Sequence, residues 1–178
     1  GCATGDVMYF MCSDDLLCPG AFALVNAVFE TERFGGPFWL YGKTISANGI
    51  GRPLGVDGRQ ITYDELLQHN RIGQPSVFWG RQMMGLAGMF DVRYRMAADY
   101  DLWLRFWQRC APMFLDEPLG IFRHHDEQAT AVDRAQVEAE AIHISQRHRV
   151  LSDVILQARN VYEARQAYGV DEIPRTER

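Results

Sequence analysis

Residues 7–20 read VMYFMCSDDLLCPG. Residues 7–12 form an unbroken apolar run of strand length, the pattern of a strand covered on both faces, as in a parallel sheet. Two adjacent acids, Asp14 and Asp15, follow, and Pro19-Gly20 then opens AFALVNAVFETE. Proline suits a first helical turn, and Phe22, Val25, Ala27 and Phe29 supply apolar surface, so a helix is expected there. Strand, acidic turn and helix in that order belong to an α/β architecture. Open α/β sheets bind ligands beyond the carboxyl ends of their strands, where these acids fall. Adjacent carboxylates repel unless donors or a cation lie between them. A divalent metal carrying a phosphate resolves that repulsion, but a helix cap or turn would also employ an acid. Spacing leaves both readings open.

Further along, GGPFWLYGKTI reads as a second strand, and the Gly-rich SANGIGRPLGVDGRQ as a loop or irregular hairpin. TYDELLQHN is a short helix with Thr62 and Glu65 at capping-box spacing. QPSVFWG is a short strand, RQMMGLAGMFD a short helix ending near Gly88, and PLGIFRHH a last short strand. DYDLWLRFWQRC is a helix with Asp99 and Asp101 in its first turn, favourable against the helix dipole. Taken alone, those acids read as an N-cap and a surface ion pair of Asp101 with Arg105, and Trp103 and Trp107 as core. The chain is expected to be helical from Thr130. Val137, Ala141, Ile144, His148, Leu151, Ile155, Ala158 and Tyr162 form an apolar stripe interrupted by His148, and Ser152-Asp153 is a candidate break. The stripe is expected to pack on its own domain, with a homo-oligomer as the alternative. GVDEIPRTER reads as a frayed tail.

Charge narrows the function classes. The 178 residues carry 18 Lys+Arg against 23 Asp+Glu, a net charge of -5. Lys43 is the single lysine and no basic cluster exists, which argues against nucleic acid as a partner. The four cysteines lack paired spacing, so neither a zinc knuckle nor a disulfide framework is expected, and a reducing compartment is. No apolar run approaches membrane-spanning length. Cytoplasmic location is the expectation, with peripheral association at the inner face of the membrane as an option.

The order of the motifs is more specific than any one of them. GDVMYFMCSDDLLCPG, then QPSVFWG, then GMFD, then DYDLWLRF, then PLGIFRHH resembles the family 2 glycosyltransferases of the GT-A fold over about residues 5–130. The resemblance implies an α/β, incomplete GT-A domain (nucleotide-diphospho-sugar transferase, Rossmann-like) at 1–130, lacking its N-terminal nucleotide-binding half. A C-terminal helical extension and tail would occupy 131–178. It implies transfer of a sugar from a nucleoside diphosphate donor to a glycan or lipid-linked acceptor with inversion, as in polysaccharide biosynthesis. Asp15, with His125, would bind Mg²⁺ or Mn²⁺, and Asp14 would lie near the nucleotide ribose. Asp99 would be the general base, Asp101 a positioning residue near the donor, and Gln74 and Ser76 borders of the sugar pocket. Cys12 stands where many members have the first Asp of their DxD motif, and Ala98 where a Glu often precedes the base. The alternatives from other classes are a metal-dependent phosphohydrolase and a non-catalytic interaction module.

Overall fold

Successive side chains of a strand face opposite sides of its sheet, and the apolar strands here use both sides. The computed structural model describes residues 4–32 and 35–167; Cys2 and the expected tail at 169–178 lie outside them. Its elements are β1 (Val7–Tyr9), β2 (Leu16–Leu17), α1 (Ala21–Glu32), β3 (Trp39–Asn48), β4 (Pro53–Asp57), α2 (Tyr63–Gln68), a 3-10 turn (Gln74–Ser76), β5 (Val77–Gly80), α3 (Gln82–Ala87), α4 (Ala98–Trp107), β6 (Met113–His124), α5 (Ala129–Val132) and α6 (Arg134–Ala167). The sheet runs β1-β5-β3-β6-β2, with β4 also on β3. Among the described residues only β3 and β6 pair in parallel; β1 with β5, β2 with β6, and β3 with β4 and β5 are antiparallel. The chain is thus a mixed α/β protein built on a mixed sheet.

Alternation assigns the two faces. Trp39 and Tyr41 of β3 and Val77 and Trp79 of β5 meet α2, α3, α4 and α6 through Leu66, Met83, Trp103, Phe106 and Ile144. Leu40 and Phe78, one position out of phase, meet α1 through Ala21 and Val25 together with Leu119. Each such large apolar side chain stabilises the fold by roughly 1.5–3 kcal/mol. Trp103 and Trp107 both pack on Trp39, with ring centroids 6.0 and 5.9 Å away. No helix among the described residues is long and apolar enough to cross a membrane.

Local signals held where they were self-contained. Thr62 caps α2 and Glu65 reaches back to the Thr62 backbone, completing the capping box. The Gly-rich stretch forms the β3–β4 hairpin, and α3 ends at Gly88, whose φ of 80° suits glycine.

Three expectations are corrected. Residues 7–12 are not a doubly covered parallel strand. β1 is three residues long and antiparallel to β5, and Phe10 and Met11 are exposed. The Gln74 side-chain amide takes the Phe10 carbonyl, which draws the backbone off the sheet before the acids. The C-terminal helix does not divide at Ser152-Asp153. Ser152 Oγ donates to the His148 carbonyl within the helix, and the break falls at Asp133, whose Oδ1 accepts the Gln136 amide 3.0 Å away. The apolar stripe is covered only in its first half: Ile144 and His148 are buried, whereas Leu151, Ile155 and Tyr162 are exposed.

Candidate functional site

Residues 10–15 leave the sheet as a turn, with the Asp15 amide on the Cys12 carbonyl. Sγ of Cys12 and one carboxylate oxygen each of Asp14 and Asp15 lie within 4.8 Å of one another. Both acids face the end of β6. Asp15 Oδ1 accepts the Arg123 backbone N–H at 3.2 Å, the Asp14 carbonyl accepts from the Arg123 guanidinium, and His125 Nε2 lies 3.1 Å from Asp14 Oδ2. The helix-cap reading of the acids is set aside by this orientation. His125 is thus drawn to the acidic pair across more than a hundred residues of chain.

Burial decides the electrostatics. Asp15 is only 4% exposed, and that burial, reinforced by the Asp14 charge and only partly relieved by the Arg123 amide, pushes its carboxyl up to about 6. The Cys12 thiol goes up to about 11 through burial and then the negative charges of Asp15, Asp14 and Asp99. The two carboxylates fit a hard divalent cation, which prefers oxygen ligands, and Cys12 Sγ stands beside them as a third candidate ligand atom.

Gln74 links this cluster to a cavity. Cys12 Sγ donates to Gln74 Oε1 at 3.4 Å, and Gln74 lines a cavity of about 350 Å³ together with Thr44, Asn70, Arg71, Met96 and Asp99. Two glycines let the Gln74 turn sit so close to the sheet. A Cβ on Gly120 would fall 2.0 Å from the Pro75 carbonyl oxygen, and one on Gly73 2.2 Å from Thr44 Oγ1. Ser76 is fully buried, hydrogen-bonded at 2.8 Å both to the Lys43 carbonyl and to Thr44 Oγ1, so it anchors the turn rather than bordering the cavity.

Asp99 sits in the first turn of α4 at the cavity wall, and desolvation there raises its carboxyl above the ordinary range. Asn70 Nδ2 donates to its Oδ2 at 3.3 Å. It is not the helix cap: that position is Ala97, which has no capping side chain. Asp101 is no surface pair either. It is wholly buried, 2.7 Å from Arg105 and 3.0 Å from His148 Nε2, with Arg147 at 3.4 Å. Burial alone would push Asp101 up, but the His148 bond and the Arg105 charge outweigh it and hold the carboxyl below its usual range. Asp101 thus ties α4 to α6 and does not border the cavity.

Sequence reasoning missed Asn70, Arg123 and Glu140 as contributors. Their partners are 29 to 109 positions away, and no local pattern marks them.

No protein-family model matches the chain. The uncharacterized protein MT1568 of Mycobacterium tuberculosis (strain CDC 1551 / Oshkosh) is similar, at 26% identity over 189 residues. The match covers 97% of this chain and 58% of that protein, so the chain spans under two thirds of its relative's length.

Proposed function

We propose that this chain is part of an inverting, metal-assisted glycosyltransferase of GT-A type, moving a sugar from a nucleoside diphosphate donor to an acceptor hydroxyl. The observation that carries the reading is the joining of two acidic centres by one side chain. Gln74 bonds to Cys12 beside the Asp14–Asp15 pair, of which Asp15 is buried, and it lines the cavity that Asp99 borders. A donor binder and a proton acceptor at adjoining positions are what glycosyl transfer requires, and the ordered motifs that would supply them resemble those of the family 2 glycosyltransferases.

In this reading Asp15 and Asp14, whose oxygens lie together, would hold Mg²⁺ or Mn²⁺, which when bound would supply positive charge against the departing diphosphate. His125, which the resemblance put on the metal, instead orients Asp14 through its 3.1 Å contact. The acceptor oxygen forms its bond to the anomeric carbon as the bond to the diphosphate breaks. Asp99 takes the hydroxyl proton, and desolvation, which raises its carboxyl above the ordinary range, makes it a stronger proton acceptor than an exposed aspartate. The polar cavity wall of Thr44, Asn70 and Arg71 suits a hydroxyl-rich acceptor, a glycan or the sugar of a lipid-linked one.

The test uses the complete protein with Mn²⁺ and a panel of nucleoside diphosphate sugars. Release of nucleoside diphosphate together with a glycosylated product is expected, and Asp99→Asn should lower turnover by about 10²–10⁴-fold with donor affinity retained. Phosphate release without a glycosylated product would assign the site to a phosphohydrolase instead.

A further inference from the structure

Helix α4 begins without a cap of its own, and something else must satisfy the amides before Asp99. Glu140, on α6, does so. Its Oε1 accepts the Arg95 amide at 3.1 Å, and its Oε2 accepts Met96 at 2.8 Å and Ala97 at 3.0 Å. Gln136, one turn earlier on α6, donates to Oε1 at 3.0 Å and steadies the carboxylate. Those amides belong to the N-cap residue Ala97 and the two positions before it, so a carboxylate from more than forty residues downstream clamps the approach to α4.

We infer that Glu140 is a positioning residue for Asp99: it fixes the backbone of residues 95–97 and thereby aims the carboxylate two positions later into the cavity. The inference rests on the proposed role of Asp99 as the base. Cavity geometry supports it independently. Met96, Ala97 and Asp99 line the cavity on the α4 side, and Val137 and Ala141 line it on the α6 side. Val137, Glu140 and Ala141 share one face of α6 at three- and four-residue spacing, so the amide clamp lies directly behind the wall. Asp101 N–H bonds the Ala97 carbonyl at 3.2 Å as the first turn closes, which carries the fixed backbone into the helix. Burial works against the Glu140 carboxylate, but the amide donors outweigh it and hold it below its usual range, so Glu140 is ionised throughout the neutral range. The groups that share the surroundings of Asp99 are Asn70, Arg71 and Asp57 of the cavity and the Cys12 thiol.

The experiment compares wild type, Glu140→Gln, Glu140→Ala and Gln136→Ala in the complete protein. Carbon-13 NMR follows the titration of Asp99, with Asp101 on the same helix as control, and transfer kinetics run alongside. Loosening the clamp admits water, so Asp99 should titrate lower in Glu140→Ala, toward an ordinary aspartate, while Asp101 holds its value. Turnover should fall by roughly 10²-fold, the scale of a misplacement near 1 Å, with the donor KM unchanged. Glu140→Gln keeps an acceptor oxygen and should recover part of both effects. Gln136→Ala should show the same changes in weaker form, and it serves if Glu140→Ala does not fold. A merely structural cap would lower the melting temperature and leave Asp99 and turnover per folded molecule as in wild type; that result overturns the inference. A shifted Asp99 in a protein that, even as wild type, transfers no sugar would uphold the positioning and remove the transferase reading instead.

Discussion

Asp15 and Asp101 are both buried aspartates, yet their surroundings set opposite signs. The folded pKa of Asp15 is raised to about 6. Its contribution to stability is therefore complete below the ordinary aspartate value of about 3.9 and is lost as pH rises through about 6. At pH 8 without metal the ionised carboxylate is a burden. Asp15→Asn keeps an oxygen for the Arg123 amide, so in metal-free buffer it should raise stability by about 1–3 kcal/mol while abolishing Mn²⁺ binding. Urea titrations and calorimetry read both; a destabilised variant would mean that the pair is compensated by the protein alone. Asp101 is held below its usual range, so its contribution is complete above about pH 3.9 and is lost as pH falls through the lower folded value. Asp101→Asn leaves His148 and Arg105 facing a neutral amide and should cost roughly 3–5 kcal/mol at neutral pH. It should also flatten the acid limb of the stability curve, whereas Asp99→Asn should change stability far less.

Close approach and coverage govern the elements. The Gln74–Ser76 turn lies against β6 at Gly120 with no room for a methyl group. Gly120→Ala must move backbone at Pro75, costs typically 1–3 kcal/mol by overpacking, and should weaken Mn²⁺ binding because Gln74 and Cys12 move with the turn. Unchanged metal affinity in that variant would separate the turn from the acidic cluster. Helix α6 divides in function rather than in backbone. Up to Ser152 it supplies Glu140, Ile144 and His148, and beyond it Val154, Ile155 and Leu156 are exposed. Ending the chain after residue 152 should leave the melting temperature nearly unchanged. Ending it after residue 130 strips a partner from Asp101 and a wall from the core, and should prevent cooperative unfolding altogether.

For the molecule as a whole, ligand binding to the native state adds stability by mass action, about 2.7 kcal/mol at a hundred times Kd. If the acidic cluster holds a cation that in turn holds a diphosphate, Mn²⁺ and a nucleoside diphosphate together should raise the melting temperature more than the sum of each alone. Asp15→Asn should remove the excess. Equal, additive shifts would place nucleotide and metal at unrelated sites.

Much of the secondary structure was legible in the sequence because its causes are local. The Thr62–Glu65 box, the hairpin glycines, the strand of β3 and the acid-led first turn of α4 each depend on residues within a few positions. The adjacency of Asp14 and Asp15 and the place of Asp99 in a helix's first turn were legible too, but the acids lie in a turn beyond the end of β1 at Tyr9 rather than at the strand end itself. What the tertiary structure alone decided is who meets whom. It brought His125 to Asp14, Gln74 to Cys12, His148 to Asp101 and Glu140 to the amides before Asp99. It also cut the first apolar run to three paired residues. His148 shows the reason most clearly: as a polar break in an apolar stripe it looked like a flaw, yet it is buried on Asp101 from another helix. A periodic pattern records how much of a residue is covered. Which group covers it, and so whether a buried charge is relieved or left to bind a cation, is settled only when distant segments pack.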